Sequence, residues 1–150
     1  MHIRRGRPTD LARLMELEAQ SFEEERRDSE KVFRHSLASP HQEVWVLTEN
    51  RQILASLFLR FHPRTCRVHS IAVDRAARGR GLGFKLMELA HRRARKNGCR
   101  RMSLEADARN NALLSWYESL GYRRTSLLKN YYAPRWNGYR LTRDLQAGRL

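Results

Sequence analysis

Cysteine, proline and lysine are scarce in this chain of 150 residues. Its two cysteines, Cys66 and Cys99, form neither a metal-ligand spacing nor a disulfide framework, and no metal is expected. A domain of this size buries enough surface to need no such staple. Neither cysteine is accompanied by the paired His and Asp pattern of a thiol nucleophile. Four prolines and eight glycines leave no low-complexity linker, and no internal repeat is present. Long apolar runs are missing too: the longest, residues 53–59, is far too short to cross a bilayer. Arg4, Arg5 and Arg7 open the chain with no apolar signal core behind them. A soluble, cytoplasmic protein without a membrane partner is therefore expected. The length is that of one domain, read here as residues 1–150.

Negative charge is the next shortage. Thirty Lys+Arg face 16 Asp+Glu, a formal net charge of +14, and all but four of the cations are arginine. Residues 1–50 hold eight basic and ten acidic side chains; residues 51–150 hold 22 and six. No basic run exceeds three residues, and the arginines alternate with apolar positions. That pattern describes a folded basic surface rather than a disordered tail. Such a surface attracts polyanions or an anionic cofactor.

The apolar periodicity is helical, then alternating, then mixed. Ile3 closes a short strand, and Thr9 or Asp10 is placed to cap a helix carrying Leu11, Leu14, Met15 and Leu17 inward. Residues 23–28 make a charged connection. Ser29 begins a second helix with Val32, Phe33 and Leu37, ended by Pro40. Residues 43–48, 53–61 and 67–73 read as three strands of an antiparallel meander. Phe84, Leu86, Met87, Leu89, Ala90 and Ala94 then mark a helix ending at Gly98 in the left-handed position. Met102, Leu104 and Ala106 alternate as a strand, and Asn110 or Asn111 caps a helix bearing Leu113, Leu114, Trp116, Tyr117 and Leu120. Strands near 122–129 and 139–145 complete the order βααβββαβαββ. This predicts an α/β (α+β) domain with a mixed sheet of about seven strands and about four helices, including a parallel crossover over residues 67–106.

Chemistry concentrates in Arg78-Gly79-Arg80-Gly81-Leu82-Gly83, between a strand and a long helix. Glycines there let backbone N–H groups approach an anion closely, and the helix N-terminus adds partial positive charge. Arg78, Arg80 and Lys85 supply full charges. A dinucleotide fingerprint would need a third glycine where Phe84 or Leu86 stands, and the Gly-Lys-Ser/Thr of a P-loop is missing. A glycine-rich turn without a ligand is the other reading of this segment.

Arg78-x-x-Gly81-x-Gly83, after a strand ending Ile71-Ala72-Val73-Asp74, resembles the acetyl-CoA signature of the GCN5-related N-acetyltransferases (GNAT). The resemblance continues through Leu104-Glu105, Asn110, Ala112, Trp116-Tyr117 and Leu120-Gly121-Tyr122. Lys129-Asn130-Tyr131-Tyr132 is similar to the ribosomal-protein alanine N-acetyltransferase branch and its N-terminal acetylating relatives. The resemblance implies acetyl-CoA as acetyl donor, its pyrophosphate on the Gly79, Arg80, Gly81, Leu82 and Gly83 amides beside Arg78. It implies a pantetheine arm paired with the strand of Ile71 and Val73. Asn110 would bond the pantetheine, or simply cap its helix. Tyr117 would protonate the leaving thiolate, although from spacing alone it also fits as a core aromatic. Glu105 would be the base, with His69 as alternative and a solvated, arginine-paired carboxylate as the plainer reading. Tyr131 and Tyr132 would line the acceptor site. Trp45 and Trp136 read as core or rim.

The acceptor is left open. Residues 23–28 depart from the aromatic, proline-containing loop of that branch, and read as a solvated charged loop or an acidic lip for a cationic amine. Three functions are compatible: acetyl transfer to a protein or peptide amine, N-terminal or lysine; transfer to a small amine such as a polyamine or aminoglycoside; or a silent domain binding CoA or nucleic acid. The arginine excess leaves room for weak ribosome or RNA association, and the protein for a monomer or homodimer.

Overall fold

The computed structural model describes residues 1–150 and orders seven strands and four α-helices as the apolar pattern predicts. They are β1 (His2–Arg5), α1 (Leu11–Ser21), α2 (Glu30–Ala38), β2 (Gln42–Glu49), β3 (Gln52–Phe61), β4 (Thr65–Val73), α3 (Leu82–Lys96), β5 (Arg101–Asp107), α4 (Asn111–Ser119), β6 (Arg123–Ala133) and β7 (Trp136–Asp144). One sheet runs β1-β2-β3-β4-β5-β7-β6, antiparallel except for the β4–β5 pair. No helix is long and apolar enough to cross a membrane.

Strand alternation divides the core between the two faces of the sheet. On one face Leu14 and Leu17 of α1 and Phe33 of α2 meet Val44, Val46, Phe58 and Ala72. Phe33 and Phe58 cross edge to face at 5.4 Å. On the other, Leu86, Met87, Ala90 and Ala94 of α3 and Leu114 of α4 cover Leu47, Leu57, Leu59, Met102 and Leu104.

The caps differ from expectation in one place. Ser29 caps α2 by accepting the Val32 N–H at 3.4 Å, and Asn110 caps α4 by accepting that of Leu113 at 3.1 Å. Asp10 stands at the N-cap of α1 but bonds no N–H of that helix; its carboxylate accepts the Arg7 N–H at 2.7 Å and a bidentate pair from Arg4, tying β1 to the helix. Gly98 does adopt the left-handed conformation, at φ +77°.

Two irregularities shape the cleft. β4 and β5 pair only as far as Val68 and Leu104, although they continue to Val73 and Asp107, so the sheet splays between them. At the same point β4 carries a bulge: Phe58 opposes Ser70 and Leu59 opposes Val68, leaving His69 as the extra residue.

Candidate active site

The glycine loop has the backbone its sequence calls for. Gly79 and Gly81 lie at φ +79° and +77°, with open space where a Cβ would stand, so conformation rather than crowding requires glycine. Gly81 caps α3, whose first turn therefore starts at Leu82. The first helical bond runs from the Lys85 N–H to the Gly81 carbonyl at 3.1 Å, and the N–H groups of Leu82, Gly83 and Phe84 have no carbonyl one turn back. Those amides and the helix dipole make an anion cradle. The two arginines of the loop are already engaged. Arg78 donates from Nε to the Val73 carbonyl at 3.1 Å, anchoring the loop to the end of β4. Arg80 pairs with Glu49 at 2.7 Å.

Where β4 and β5 part, a cavity of about 460 Å³ opens. His69, Ser70 and Ile71 of β4, Glu105 of β5, Tyr117 of α4, and Tyr131 and Tyr132 of β6 all line it. The structure thus brings the expected acid, base and acceptor residues to one cavity. Val73, the glycine loop and Asn110 lie outside its walls. The Asn110 side-chain oxygen is committed to its cap.

Tyr117 is 4% exposed, packed against Trp116 and Tyr122 at ring separations of 5.0 and 5.8 Å. Burial, with the nearby Tyr132, pushes its phenol well above the usual range, so it keeps its proton at any physiological pH. Glu105 is not a solvated carboxylate. Its side chain is 8% exposed, with Arg67 donating to one oxygen at 3.0 Å and Arg140 to the other at 3.4 Å. His69 places Nε2 2.7 Å from Asp28 Oδ2 and 3.3 Å from an Arg60 nitrogen, while its Nδ1 is buried without a partner. Burial alone would raise the Asp28 carboxyl; the His69 bond and the Arg60 and Arg67 charges outweigh it and hold it below the usual range.

Tyr131 and Tyr132 share the cavity because β6 is longer than its apolar pattern indicates and irregular near its end. Register is lost between Leu128 and Ala133, and Asn130 turns to φ +55°. Normal alternation would send two neighbouring side chains to opposite faces. The rings instead cross at 81°, 4.9 Å apart, and Tyr131 hydroxyl lies 3.4 Å from an Arg67 nitrogen. Both rings crowd Gly138 of β7, where a Cβ would meet each at 3.2 Å.

Residues 23–28 are solvent-exposed at Glu23, Glu24, Glu25 and Arg27 but turn Arg26 and Asp28 inward. They make a short 3-10 turn over Glu24–Arg26 that walls the cavity. The Arg26 guanidinium lies over Phe22 at 4.8 Å and over Tyr132 at 4.4 Å, clasping the turn to β6. Asp28 points inward to His69.

Glu18 is the cavity residue that sequence reasoning missed. It follows Leu14 by four positions, on the inner stripe of α1, and that placement of an acid is the signal. It is 6% exposed and accepts the Asp28 N–H at 2.9 Å. Burial, reinforced by the Asp28 charge, pushes its carboxyl up to about 7. Below pH 4.5 the group is protonated whether folded or not. Between there and 7 the folded state binds more proton, so stability falls as pH rises. Glu18→Gln keeps an acceptor for the Asp28 N–H and removes the titration. The variant is expected to match the parent at pH 4 and to exceed it at pH 8 by up to about 3 kcal/mol. For a chain of this size that is roughly 5–10 °C in thermal midpoint. Thermal unfolding across pH checks this, and equal midpoints at pH 8 would contradict it.

The comparisons with known proteins agree with this geometry. The acetyltransferase (GNAT) family model matches residues 11–122. The N-alpha-acetyltransferase RimI of Mycobacterium tuberculosis is 33% identical over 127 residues, 82% of this chain and 78% of that protein. The ribosomal protein bS18-alanine N-acetyltransferase of Escherichia coli is 31% identical over 104 residues, 69% of this chain and 70% of that one. The crystal structure of the Escherichia coli ribosomal-protein-S18-alanine N-acetyltransferase superposes with TM-score 0.85 at 26% identity, covering 96% and 93% of the two chains. Glycine cradle, splayed strands and matched relatives converge: the chain belongs to the GNAT family and is an acetyl-CoA-dependent N-acetyltransferase.

Proposed function

We propose that the protein acetylates the N-terminal α-amine of a protein or peptide, by direct transfer with no acyl-enzyme. One observation carries the reading: the splay of β4 and β5 gathers Tyr117, Glu105, Tyr131 and Tyr132 around a single cavity. The relatives named as N-alpha-acetyltransferases support the choice of acceptor.

The residues present fit acetyl-CoA. The Gly79, Arg80, Gly81, Leu82 and Gly83 backbone suits the pyrophosphate, and the unpaired edge of β4 at Ile71 and Val73 suits an extended amide-bearing arm. Bound there, it supplies a thioester carbonyl as electrophile and a thiolate as leaving group. Glu105 accepts a proton from the incoming ammonium, through one of the lone pairs its two arginines leave free. Arg67 and Arg140 hold that carboxylate in place. Tyr117, kept protonated by burial, donates its hydroxyl proton to the departing sulfur as the carbon–sulfur bond breaks, and the second proton shed by the attacking nitrogen restores the phenol. Cys66 is buried, and burial pushes its thiol far above the range of a nucleophile. Tyr131, Tyr132 and the turn clasped by Arg26 wall the acceptor channel.

Glu18 supports a second reading of the base. It lines the same cavity, and its carboxyl titrates near the working pH of such chemistry.

Thiol release with four acceptors tests the function: a free N-terminal peptide, the same peptide blocked at its α-amine but carrying a lysine, spermidine, and an aminoglycoside. The free α-amine is expected to exceed each other acceptor in kcat/KM by at least about tenfold, a modest specificity difference for one well-placed contact set. Preference for spermidine or the aminoglycoside would replace the proposal with small-amine acetylation.

A further inference from the structure

The end of the sheet remote from the acyl-transfer cleft carries a cavity of about 670 Å³, larger than the catalytic one. Five arginines line it: Arg64, Arg100, Arg101, Arg123 and Arg143. They come from the starts of β4, β5 and β6 and the end of β7, four neighbouring strands in the sheet. The backbone fixes this row. The Arg64 carbonyl accepts the N–H groups of Arg100 and Arg101 at 2.8 and 3.2 Å, and the Arg100 carbonyl accepts that of Leu145 at 2.9 Å. Arg101 stands opposite Asp144, and Arg123 opposite Thr142.

The charges in this row are not neutralised from within. Arg143 is buried and committed to the carbonyls of Leu120, Asp144 and Gly148. Arg64, Arg100, Arg101 and Arg123 are exposed, and none forms an ion pair, although eleven other arginines do. The one acid in the cavity, Asp144, has an oxygen bound to the Gln146 N–H at 2.8 Å. Like charges gathered without counter-charge cost stability, and an anion seated among them relieves that cost.

We propose that this cleft binds the phosphodiester backbone of a nucleic acid, without reading its sequence. Three features select that ligand class. First, Ala147 is the only apolar residue in the lining. A protein partner's binding site has apolar or aromatic anchors, whereas nucleic-acid surfaces are polar and strongly basic. Second, no aromatic side chain lines the cleft, so no base-stacking platform is present and contacts fall on phosphates. Third, four strands at about 4.8 Å spacing set the arginines along roughly 14 Å. That is too long for one phosphate and matches several successive ones at about 3.4 Å of axis per strand phosphate. The cofactor's phosphates belong to the opposite end of β4, roughly 27 Å away along nine residues. The cleft therefore accounts for part of the +14 charge that acetyl-CoA leaves unexplained.

Fluorescence anisotropy of the full chain with a labelled 12-nucleotide oligo-U RNA, and with its DNA counterpart, between 50 and 300 mM salt, tests this. Binding is expected at low salt, with log affinity falling against log salt at a slope near −3, about 0.7 per neutralised phosphate for four arginines. The combined variant Arg64→Gln, Arg100→Gln, Arg101→Gln, Arg123→Gln should weaken binding at least tenfold at 100 mM salt, flatten the slope by two or more, and keep acetyltransferase kcat/KM within twofold. Arg123→Gln alone, at one exposed position, should flatten it by about 0.7 and serves should the combined variant fail to fold. RNA bound over DNA, or the two bound alike, fits the proposal and names the source. Four results would overturn it: wild-type affinity in the variants, displacement by saturating acetyl-CoA, displacement by inorganic triphosphate at equal phosphate concentration, or equal competition by polyglutamate of the same charge.

Discussion

Tyr117→Phe should lower kcat by about 10²–10³-fold while leaving the dissociation constant of acetyl-CoA within twofold. The substitution removes one hydroxyl and keeps the ring, so the contacts with Trp116 and Tyr122 persist and the fold is undisturbed. The ring belongs to the main apolar cluster, but the residue also lines the catalytic cavity, and these two facts separate its structural and chemical parts. Packing resides in the ring; proton donation resides in the hydroxyl. A thiolate expelled into a buried site without a donor carries an unsolvated charge, which is why losing one proton source is so costly. The measurement pairs steady-state kinetics with calorimetric titration of acetyl-CoA. A kcat within threefold of the parent, with acetyl transfer shown to limit turnover, would leave Tyr117 as a packing residue only.

The fold was legible because its signals are local and mutually consistent. Leu14 and Leu17, or Leu86, Ala90 and Ala94, recur with the period of a helix, and Met102, Leu104 and Ala106 with that of a strand. The cradle was legible for the same reason, since a left-handed Gly81 before an apolar helix is a short-range statement. What escaped is what distant segments decide. β6 reads as ending near Lys129 because Asn130 and two successive tyrosines interrupt its pattern. Pairing with β7 around Gly138, with Asn137 and Asn130 side chains bonding the turn, carries the strand to Ala133. Residues 23–28 read as solvent-facing charge, and Glu23, Glu24, Glu25 and Arg27 are exposed, but Arg26 between two aromatic rings also makes the turn a cavity wall. Charge counting likewise gives no sign that the Arg80 guanidinium pairs with Glu49, 31 positions away. Glu105 was found by position, but not the two guanidinium groups that fix it, since Arg67 and Arg140 lie on neighbouring strands.

Those guanidinium groups give Glu105→Gln its expected profile. An N-terminal α-amine has a pKa of about 7.7–8.0, so at pH 6.5 only about one molecule in twenty carries the lone pair that attacks. A base at position 105 matters most there. At pH 9 the amine is deprotonated by solvent, and the base has little left to do. The variant should therefore lose about 10²-fold in kcat/KM at pH 6.5 and no more than about tenfold at pH 9. A residue that merely oriented the acceptor would show the same deficit at both ends, because positioning does not depend on the amine's proton. Glutamine retains a carbonyl for Arg67 but loses the charge shared by two arginines, so thermal unfolding must accompany the kinetics. The companion variant Glu18→Gln separates the two carboxylates of the cavity. If Glu18 is the proton acceptor, its variant loses the limb of the pH–rate profile near 7, where its carboxyl titrates, and Glu105→Gln shows a flat deficit. If Glu105 is the acceptor, the limb survives in Glu18→Gln and the deficit of Glu105→Gln shrinks with pH. The two outcomes have opposite signs in the same pair of curves, and only one of them leaves the clamped carboxylate as the base.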